Sequence, residues 1–190
     1  FRFGAGRSGD TTALRELAAV HGIAVDVLTM HTDGGERLSS SRIRQALAAG
    51  ELQEAARLLG RPYRFGGRVV RGRGLGRELG WPTANLQVDG RKFLPLEGVY
   101  AARVWLVGAG ADPRALAEPM PAVMNLGPQP TVDPTAPSAV EVHLLDQRLE
   151  LEGRELLVEP VALLRRQQRF SGLEALVNQI AADAAQASAL

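Results

Sequence analysis

Apolar residues recur every three or four positions in the first third of the 190-residue chain. This spacing predicts helices over three segments, residues 11–20, 39–49 and 52–59. Thr11 or Thr12 is a suitable cap for the first, and Gly50 and Gly60 are typical residues for ending the other two. Residues 23–28 alternate in polarity, which predicts one short strand. One strand cannot close a core, so residues 1–60 are expected to form an incomplete α/β unit.

The pattern changes at Arg61-Pro62, where short runs rich in β-branched residues begin. We predict strands over residues 65–70, 99–107, 122–125, 140–145 and 155–160. Gly and Pro clusters separate these runs, and strands without helices between them form antiparallel sheets or barrels. Residues 171–187 return to helical spacing, which predicts a helix packed on the barrel. We therefore place a domain boundary near residue 60 and assign residues 61–190 to a small closed antiparallel β-barrel.

Composition narrows the functional classes. With 22 basic and 21 acidic residues the net charge is +1, and only 5% of residues are aromatic, which disfavours an oligonucleotide-binding barrel or a membrane partner. The absence of cysteine excludes disulfides, thiolate metal sites and cysteine nucleophiles, and favours a reducing cytoplasm. The three histidines are in no metal-ligand spacing. No apolar run approaches the roughly 20 residues of a membrane-spanning helix, and no signal peptide is evident.

Residues 66–85, with the sequence GGRVVRGRGLGRELGWPTAN, carry the strongest chemical signal. Four glycines (72, 74, 76 and 80) would let backbone amides approach phosphate oxygens, and Arg71, Arg73 and Arg77 add cationic donors. Thr83 and Asn85 follow Pro82 and offer two neutral oxygen ligands that suit Mg²⁺ bridging phosphates. The alternatives are a solvated turn and a strand start with an Asx turn.

This loop and its Trp81-Pro82-Thr83-Ala84-Asn85 segment resemble the riboflavin kinase family. Further motifs match in the same order over about residues 62 to 186, and the Walker A pattern is absent. These motifs are Gly98-Val99-Tyr100-Ala101, Asn125-Leu126-Gly127 with Pro130-Thr131, Glu141-Val142-His143-Leu144-Leu145-Asp146, and Arg165 with Phe170 before Ser171-Gly172-Leu173-Glu174.

The resemblance implies transfer of a phosphoryl group from ATP to the 5′-hydroxyl of riboflavin, which gives FMN. By position it implies that Gly72 and Arg77 contact ATP phosphates and that Thr83 and Asn85 bind Mg²⁺ and phosphate. Glu141 would be the base that accepts the hydroxyl proton, and Arg165 and Phe170 would contact the flavin. For His143 we favour a packed, hydrogen-bonded neighbour over a proton shuttle. The chain departs from the family at Glu152, before Gly153, and at Arg166-Gln167, where Pro-Glu is common.

Two segments of the N-terminal third are similar to the end of the FMN adenylyltransferase domain that precedes the kinase in bacterial bifunctional FAD synthetases. They are Phe1-Arg2-Phe3-Gly4 with Gly9-Asp10, and residues 38–44 (LSSSRIR). The resemblance implies that Ser40, Ser41 and Arg42 help bind ATP phosphates, and the alternative is a simple helix cap. The nucleotidyl-transfer motif of the HxGH type is absent, so we expect the start of a larger protein to be missing and adenylylation to need the parent protein.

An alternative function is that of a noncatalytic flavin- or nucleotide-binding barrel with a regulatory role. Glu141 together with Thr83 and Asn85 favours an enzyme, because a pure binder needs no base beside a metal site. The expected partners are riboflavin and ATP with Mg²⁺, and no nucleic acid or membrane. The oligomeric state stays open.

Overall fold

The computed structural model describes residues 1–29, 32–72, 74–108, 118–127 and 139–190. The predictions for Arg73 and for Pro130-Thr131 lie outside these residues. Two compact units are present, Phe1–Leu38 and Ser39–Leu190. The helices are α1 (Thr11–Val20), α2 (Ser40–Ala49), α3 (Leu52–Leu59), α4 (Leu75–Glu78) and α5 (Leu173–Ser188). The strands are β1 (Thr32–Asp33), β2 (Glu36–Arg37), β3 (Phe65–Val70), β4 (Ala84–Val88), β5 (Gly98–Val107), β6 (Met120–Gly127), β7 (Ala139–Leu144) and β8 (Glu155–Arg165).

In the first unit, helix α1 forms as predicted but with a different cap. The carboxylate of Asp10 accepts hydrogen bonds from the backbone N–H groups of Thr12 (3.0 Å) and Ala13 (3.1 Å). The strand predicted over residues 23–28 is wrong, because a strand must pair with another strand and this segment pairs with none among the described residues. The antiparallel pairing of this unit joins β1 to β2 instead.

In the second unit, helices α2 and α3 form where the sequence predicts them. The hydroxyl of Ser39 accepts from the backbone N–H of Arg42 at 3.3 Å, and Gly50 and Gly60 end the helices in the left-handed conformation. Apolar residues of both helices, such as Leu47 and Leu52, belong to the same core as the barrel interior. The two compact units divide between Leu38 and Ser39, because this packing joins α2 and α3 to the barrel. The domain boundary predicted near residue 60 stays a prediction.

Six strands close into an antiparallel barrel in the order β3-β4-β7-β6-β5-β8. This confirms the predicted barrel, although β4 was not predicted as a strand of its own. Its five residues alternate in burial, with Ala84 and Leu86 buried and Gln87 exposed, but they are too few to stand out in the sequence. The interior is filled by inward-facing side chains, the bulkiest of which are Phe65, Tyr100, Met124 and Leu156.

Helix α5 covers part of the outer surface of the barrel, as predicted. Ala184 and Ala187 pack with Val99, Ala101 and Val123, which point outward from β5 and β6. Small alanine side chains allow the helix to approach the sheet closely. The outward-facing residues at the margin of α5 are therefore partly sheltered from solvent. In the part of the chain that the structure describes, no helix is long and apolar enough to cross a membrane.

Candidate active site

A row of polar side chains crosses three neighbouring strands on the outer face of the barrel. Glu141 on β7 is paired with Asn85 on β4 and with Asn125 on β6. Val140 and Val142 are buried inside the barrel, so Glu141 between them points outward. Directly paired residues on neighbouring strands point to the same face and lie about 5 Å apart. The Glu141 carboxylate therefore lies between the amides of Asn85 and Asn125, in a row about 10 Å long.

The glycine-rich loop lies directly on this row. An added Cβ at Gly72 would overlap the Asn85 amide and lie 2.6 Å from its Cγ. An added Cβ at Gly76 would contact the Trp81 carbonyl and lie 3.2 Å from the Thr83 hydroxyl oxygen. At Gly76 the overlap is with backbone, so glycine is needed there. At Gly72 the overlap is with the Asn85 side chain, which would have to move if Gly72 carried a side chain. The loop backbone is thereby held against the two side chains predicted to bind Mg²⁺ and phosphate.

Arg77 lies on the single helical turn α4, within the same loop. The turn begins after Gly74, whose φ of 80° is in the left-handed region that favours glycine. The backbone N–H of Trp81 donates to the Gly76 carbonyl at 2.7 Å, which closes the loop behind α4. The four residues predicted to bind ATP are thus carried by one continuous segment that runs from the end of β3 into β4.

His143 lies beside this segment on the same outward face of β7 as Glu141. Its Nδ1 is 2.7 Å from the Pro82 carbonyl oxygen, and its ring meets the edge of the Trp81 ring at 5.2 Å between centroids. These are the contacts of a packed, hydrogen-bonded neighbour, which is the role that the sequence favours.

Arg165, a predicted flavin contact, is bound to a carboxylate of α5. Its Nε lies 3.1 and 3.0 Å from the two carboxylate oxygens of Asp183, and a terminal nitrogen lies 2.9 Å from Oδ2. Asp183 is 3% exposed and also accepts from the Gln179 amide at 2.8 Å. The Arg165 guanidinium also lies 5.4 Å from the centre of the Phe170 ring. Arg165 therefore ties the segment after β8 to α5 and supports Phe170.

Asn125 and Gln167 form a second connection, which sequence reasoning did not assign to the site. The Gln167 amide donates to Asn125 Oδ1 at 2.6 Å and to the Leu126 carbonyl at 3.0 Å. Because Asn125 Oδ1 accepts from Gln167, the other end of the Asn125 amide is an NH₂ group that can donate. Gln167 is part of the departure from the family pattern at residues 166–167, and that departure was the signal that could have identified it. Asp183 had a weaker signal, a carboxylate among the alanines in the second half of α5.

Ser40, Ser41 and Arg42 lie in the first turn of α2. Ser39, and not Ser40 or Ser41, provides the capping hydroxyl. A terminal nitrogen of Arg42 is 3.8 Å from a carboxylate oxygen of Glu54 on α3, and the same carboxylate binds Arg57 at 2.7 Å. Arg42 thus contributes to the packing of α2 on α3, and its predicted role toward ATP stays a prediction.

The donor set beside Glu141 fits a hard cation shared with phosphate. Across the described ranges, no group of three or more His, Asp or Glu side chains is arranged to hold a metal ion. Thr83 and Asn85 provide one hydroxyl and one amide oxygen, the neutral ligands that Mg²⁺ accepts when phosphates supply the rest of its coordination. The close approach of Gly72 and Gly76 brings the loop backbone to the same side chains. The residues present therefore fit Mg²⁺ that arrives with a nucleotide.

Tyr100 fills part of the barrel interior. Its hydroxyl donates to the Leu96 carbonyl, and the side chain is fully buried. Burial raises the pKa of Tyr100 to about 12, because the phenolate would lose its hydration. Leu96 in turn donates its N–H to the Leu47 carbonyl at 2.9 Å, which connects the barrel to α2.

Comparisons with known proteins identify a family and several relatives of this chain. The family described as flavokinase, riboflavin kinase, matches residues 59–190. The bifunctional riboflavin kinase/FMN adenylyltransferase of Escherichia coli K12 is 42% identical over 183 residues, which are 96% of this chain and 55% of that protein. The protein of the same name from Pseudomonas fluorescens is 42% identical over 190 residues, 100% of this chain and 58% of that protein. The chain thus spans little more than half the length of the curated relatives it matches.

One solved structure is also similar over nearly the whole chain. It is titled a macrolide-efflux protein from Streptococcus pneumoniae, with a TM-score of 0.73, 29% sequence identity, and coverage of 96% of this chain and 56% of that one. This likeness concerns the fold.

Proposed function

The chain belongs to the riboflavin kinase family, and on this premise we propose that the row formed by Asn85, Glu141 and Asn125 is where ATP phosphorylates riboflavin to FMN. The observation that carries the proposal is the strand register, which pairs Glu141 with both amides on the outer face of the barrel. In this position Glu141 could accept a proton from a hydroxyl group that approaches from the side of Asn125, opposite the glycine-rich loop.

The ATP side of the site is the segment from Gly72 to Asn85. Its backbone N–H groups and Arg77 would bind the phosphates, since glycine permits close approach of the loop. Thr83 and Asn85 would hold Mg²⁺, which offsets negative charge on the transferring phosphoryl group. The protein's contribution on this side is to position the terminal phosphate in line with the acceptor oxygen.

Glu141 would accept the proton of the riboflavin 5′-hydroxyl. As the new bond forms between the hydroxyl oxygen and the terminal phosphorus, the bond from phosphorus to the bridging oxygen breaks, and ADP leaves with that electron pair. The proton passes to the Glu141 carboxylate, so charge and atoms balance. Asn125, with Oδ1 held by Gln167, would donate its NH₂ group to the acceptor oxygen or to the carboxylate.

The flavin side lies beyond Asn125, where the segment after β8 meets α5. Phe170 offers an aromatic surface for the isoalloxazine ring, and the bond between Arg165 and Asp183 keeps this segment in place. The strand register carries Asn85 on one side of Glu141 and Asn125, with Arg165 beyond it, on the other. In this proposal the nucleotide and the flavin would therefore approach Glu141 from opposite sides.

The test replaces Glu141 by glutamine, which keeps the size and can hydrogen-bond the hydroxyl but cannot accept its proton. We expect turnover to fall about 100-fold or more with both substrates saturating, the usual scale for losing a general base. Binding of riboflavin, followed by its fluorescence, and binding of MgADP, followed by calorimetry, should change little. Glu150→Gln is the matched control, since Glu150 is exposed in a loop after β7.

The outcome separates an enzyme from a noncatalytic binder. If wild-type protein binds riboflavin and MgADP but forms no FMN, the chain is a regulatory flavin- or nucleotide-binding barrel. If Glu141→Gln forms FMN within a few-fold of wild type, Glu141 is not the base.

A wider proposal concerns the FMN adenylyltransferase activity that the names of the relatives include. We propose that residues 1–60 are the end of such a domain and that Ser40, Ser41 and Arg42 contact ATP there. In the natural polypeptide, Arg42→Gln should lower the formation of FAD from FMN while leaving the formation of FMN within twofold. Unchanged FAD formation would leave Arg42 with only its structural contact to Glu54.

A further inference from the structure

The hydrogen-bonded ladder between β4 and β7 ends between the two residues that would bind Mg²⁺. Its pairs are Leu86 with Val140, Asn85 with Glu141, and Ala84 with Val142. Asn85 lies within this ladder, but Thr83 lies one residue beyond its end. The next residue, Pro82, has no N–H and cannot donate to a neighbouring strand. The backbone around Thr83 therefore needs another support if its hydroxyl is to hold a defined position.

The imidazole of His143 provides this support. Its Nδ1 lies 2.7 Å from the Pro82 carbonyl oxygen. A carbonyl oxygen only accepts, so Nδ1 carries the hydrogen and donates it, whether the ring is neutral or charged. The edge-on contact with Trp81 holds the ring from the other side, and Trp81 itself packs against the apolar cluster under α5.

His143 also lies at a fixed distance from Glu141, the proposed base. Glu141 and His143 are two residues apart on one strand, so they share a face at a separation of about 6.7 Å. One strand thus carries both the carboxylate that would accept the proton and the ring that supports the ATP-binding segment. The ladder fixes Ala84 on one side of Thr83, and the bond from His143 to the Pro82 carbonyl fixes the other side.

We propose that His143 is a positioning residue, whose bond to the Pro82 carbonyl holds Thr83 at the correct distance from Glu141 for MgATP. The inference rests on the proposed function of the same site. It assigns no proton transfer to His143, because the contacts of the ring with the Pro82 carbonyl and with Trp81 are those of a packed, hydrogen-bonded side chain.

The test compares three replacements of His143. Asparagine places its amide nitrogen near the position of Nδ1 and keeps the donor to Pro82. Glutamine is also polar, but its longer side chain puts the amide near the position of Nε2. Leucine fills similar space and removes the donor. The asparagine and glutamine variants form the decisive pair, because both keep a polar side chain if the leucine variant does not fold.

We expect His143→Gln and His143→Leu to raise the KM for MgATP about tenfold, the scale of one hydrogen bond, with the KM for riboflavin within twofold of wild type. His143→Asn should restore the KM for MgATP to within about threefold. Calorimetric affinity for MgADP should follow the same order and does not depend on turnover. Thermal unfolding of each variant shows whether the fold is kept.

The proposal is overturned if folded Gln and Leu variants bind MgADP as tightly as wild type, or if Asn is as defective as Gln. A loss of kcat in all three variants with unchanged KM would make His143 a proton-transfer residue instead. If wild-type protein forms no FMN, the proposed function fails. If it forms FMN and the variants keep the wild-type KM for MgATP, only the role of His143 fails.

Discussion

Replacing Gly72 by alanine tests whether the glycine-rich loop acts through Asn85. The φ of Gly72 is outside the left-handed region, so its backbone accepts alanine without strain. The added methyl group, however, would overlap the Asn85 amide and lie 2.6 Å from Asn85 Cγ. Because Gly72 is exposed in a loop, the perturbation falls on the site and not on the core.

The size of the effect follows from the overlap. Carbon atoms in contact lie about 3.5 to 4.0 Å apart, so the Asn85 side chain or the loop must move by about 1 Å. A misplacement of this size in a group that positions a substrate can cost about 100-fold in rate. We therefore expect kcat/KM for MgATP to fall about 100-fold, with the riboflavin affinity and the thermal unfolding temperature nearly unchanged.

The assay measures FMN formation by chromatography while MgATP is varied at saturating riboflavin. Gly90→Ala is the matched control, because Gly90 lies in an exposed turn where an added Cβ meets nothing within 4 Å. Asn85→Ala completes a double-mutant cycle. Once the Asn85 side chain is removed, the overlap is gone, so adding Gly72→Ala should cost less than twofold more.

Two results would refute this reasoning. If Gly72→Ala keeps kcat/KM for MgATP within threefold of wild type, the loop does not act through close contact with Asn85. If its effect is undiminished in the Asn85→Ala background, the methyl group acts elsewhere, for example by blocking a phosphate directly.

Three further predictions address the metal side, the core and α5. Thr83→Ala should raise the barrier by about 3 kcal/mol at limiting Mg²⁺ without loss of stability, and wild-type kinetics under those conditions would make this segment a structural turn. Because burial raises the pKa of Tyr100 to about 12, its contribution to stability is complete below pH 10 and is lost as the pH rises through 12. Denaturant unfolding at pH 9 and pH 11 should show this decline in wild type and a smaller one in Tyr100→Phe, whereas equal declines would contradict it. Asp183→Asn should lower the free energy of unfolding by about 3 kcal/mol, since it leaves the Arg165 guanidinium without its buried carboxylate, and unchanged unfolding would show that the pair does not support α5.

Local signals were sufficient for most individual elements of the fold. Helices α2 and α3 were predictable because their caps and ends are encoded within a few residues, at Ser39, Gly50 and Gly60. The interior face of β7 was predictable from period-two alternation around Glu141. The strand predicted over residues 23–28 failed because alternation alone provides no partner for its backbone groups. Motif order, and not periodicity, indicated the family.

Tertiary structure decided what the site is made of. The pairing of Glu141 with Asn85 and Asn125 depends on a strand order in which β7 lies between β4 and β6, and hydrogen-bonded registers between distant segments have no local signature in the sequence. The bonds from Gln167 to Asn125 and from Arg165 to Asp183 arise for the same reason, because they join residues 42 and 18 positions apart. A sequence encodes which side chains can donate, accept or carry charge, but only the closed barrel and the helix packed on it determine which of them meet.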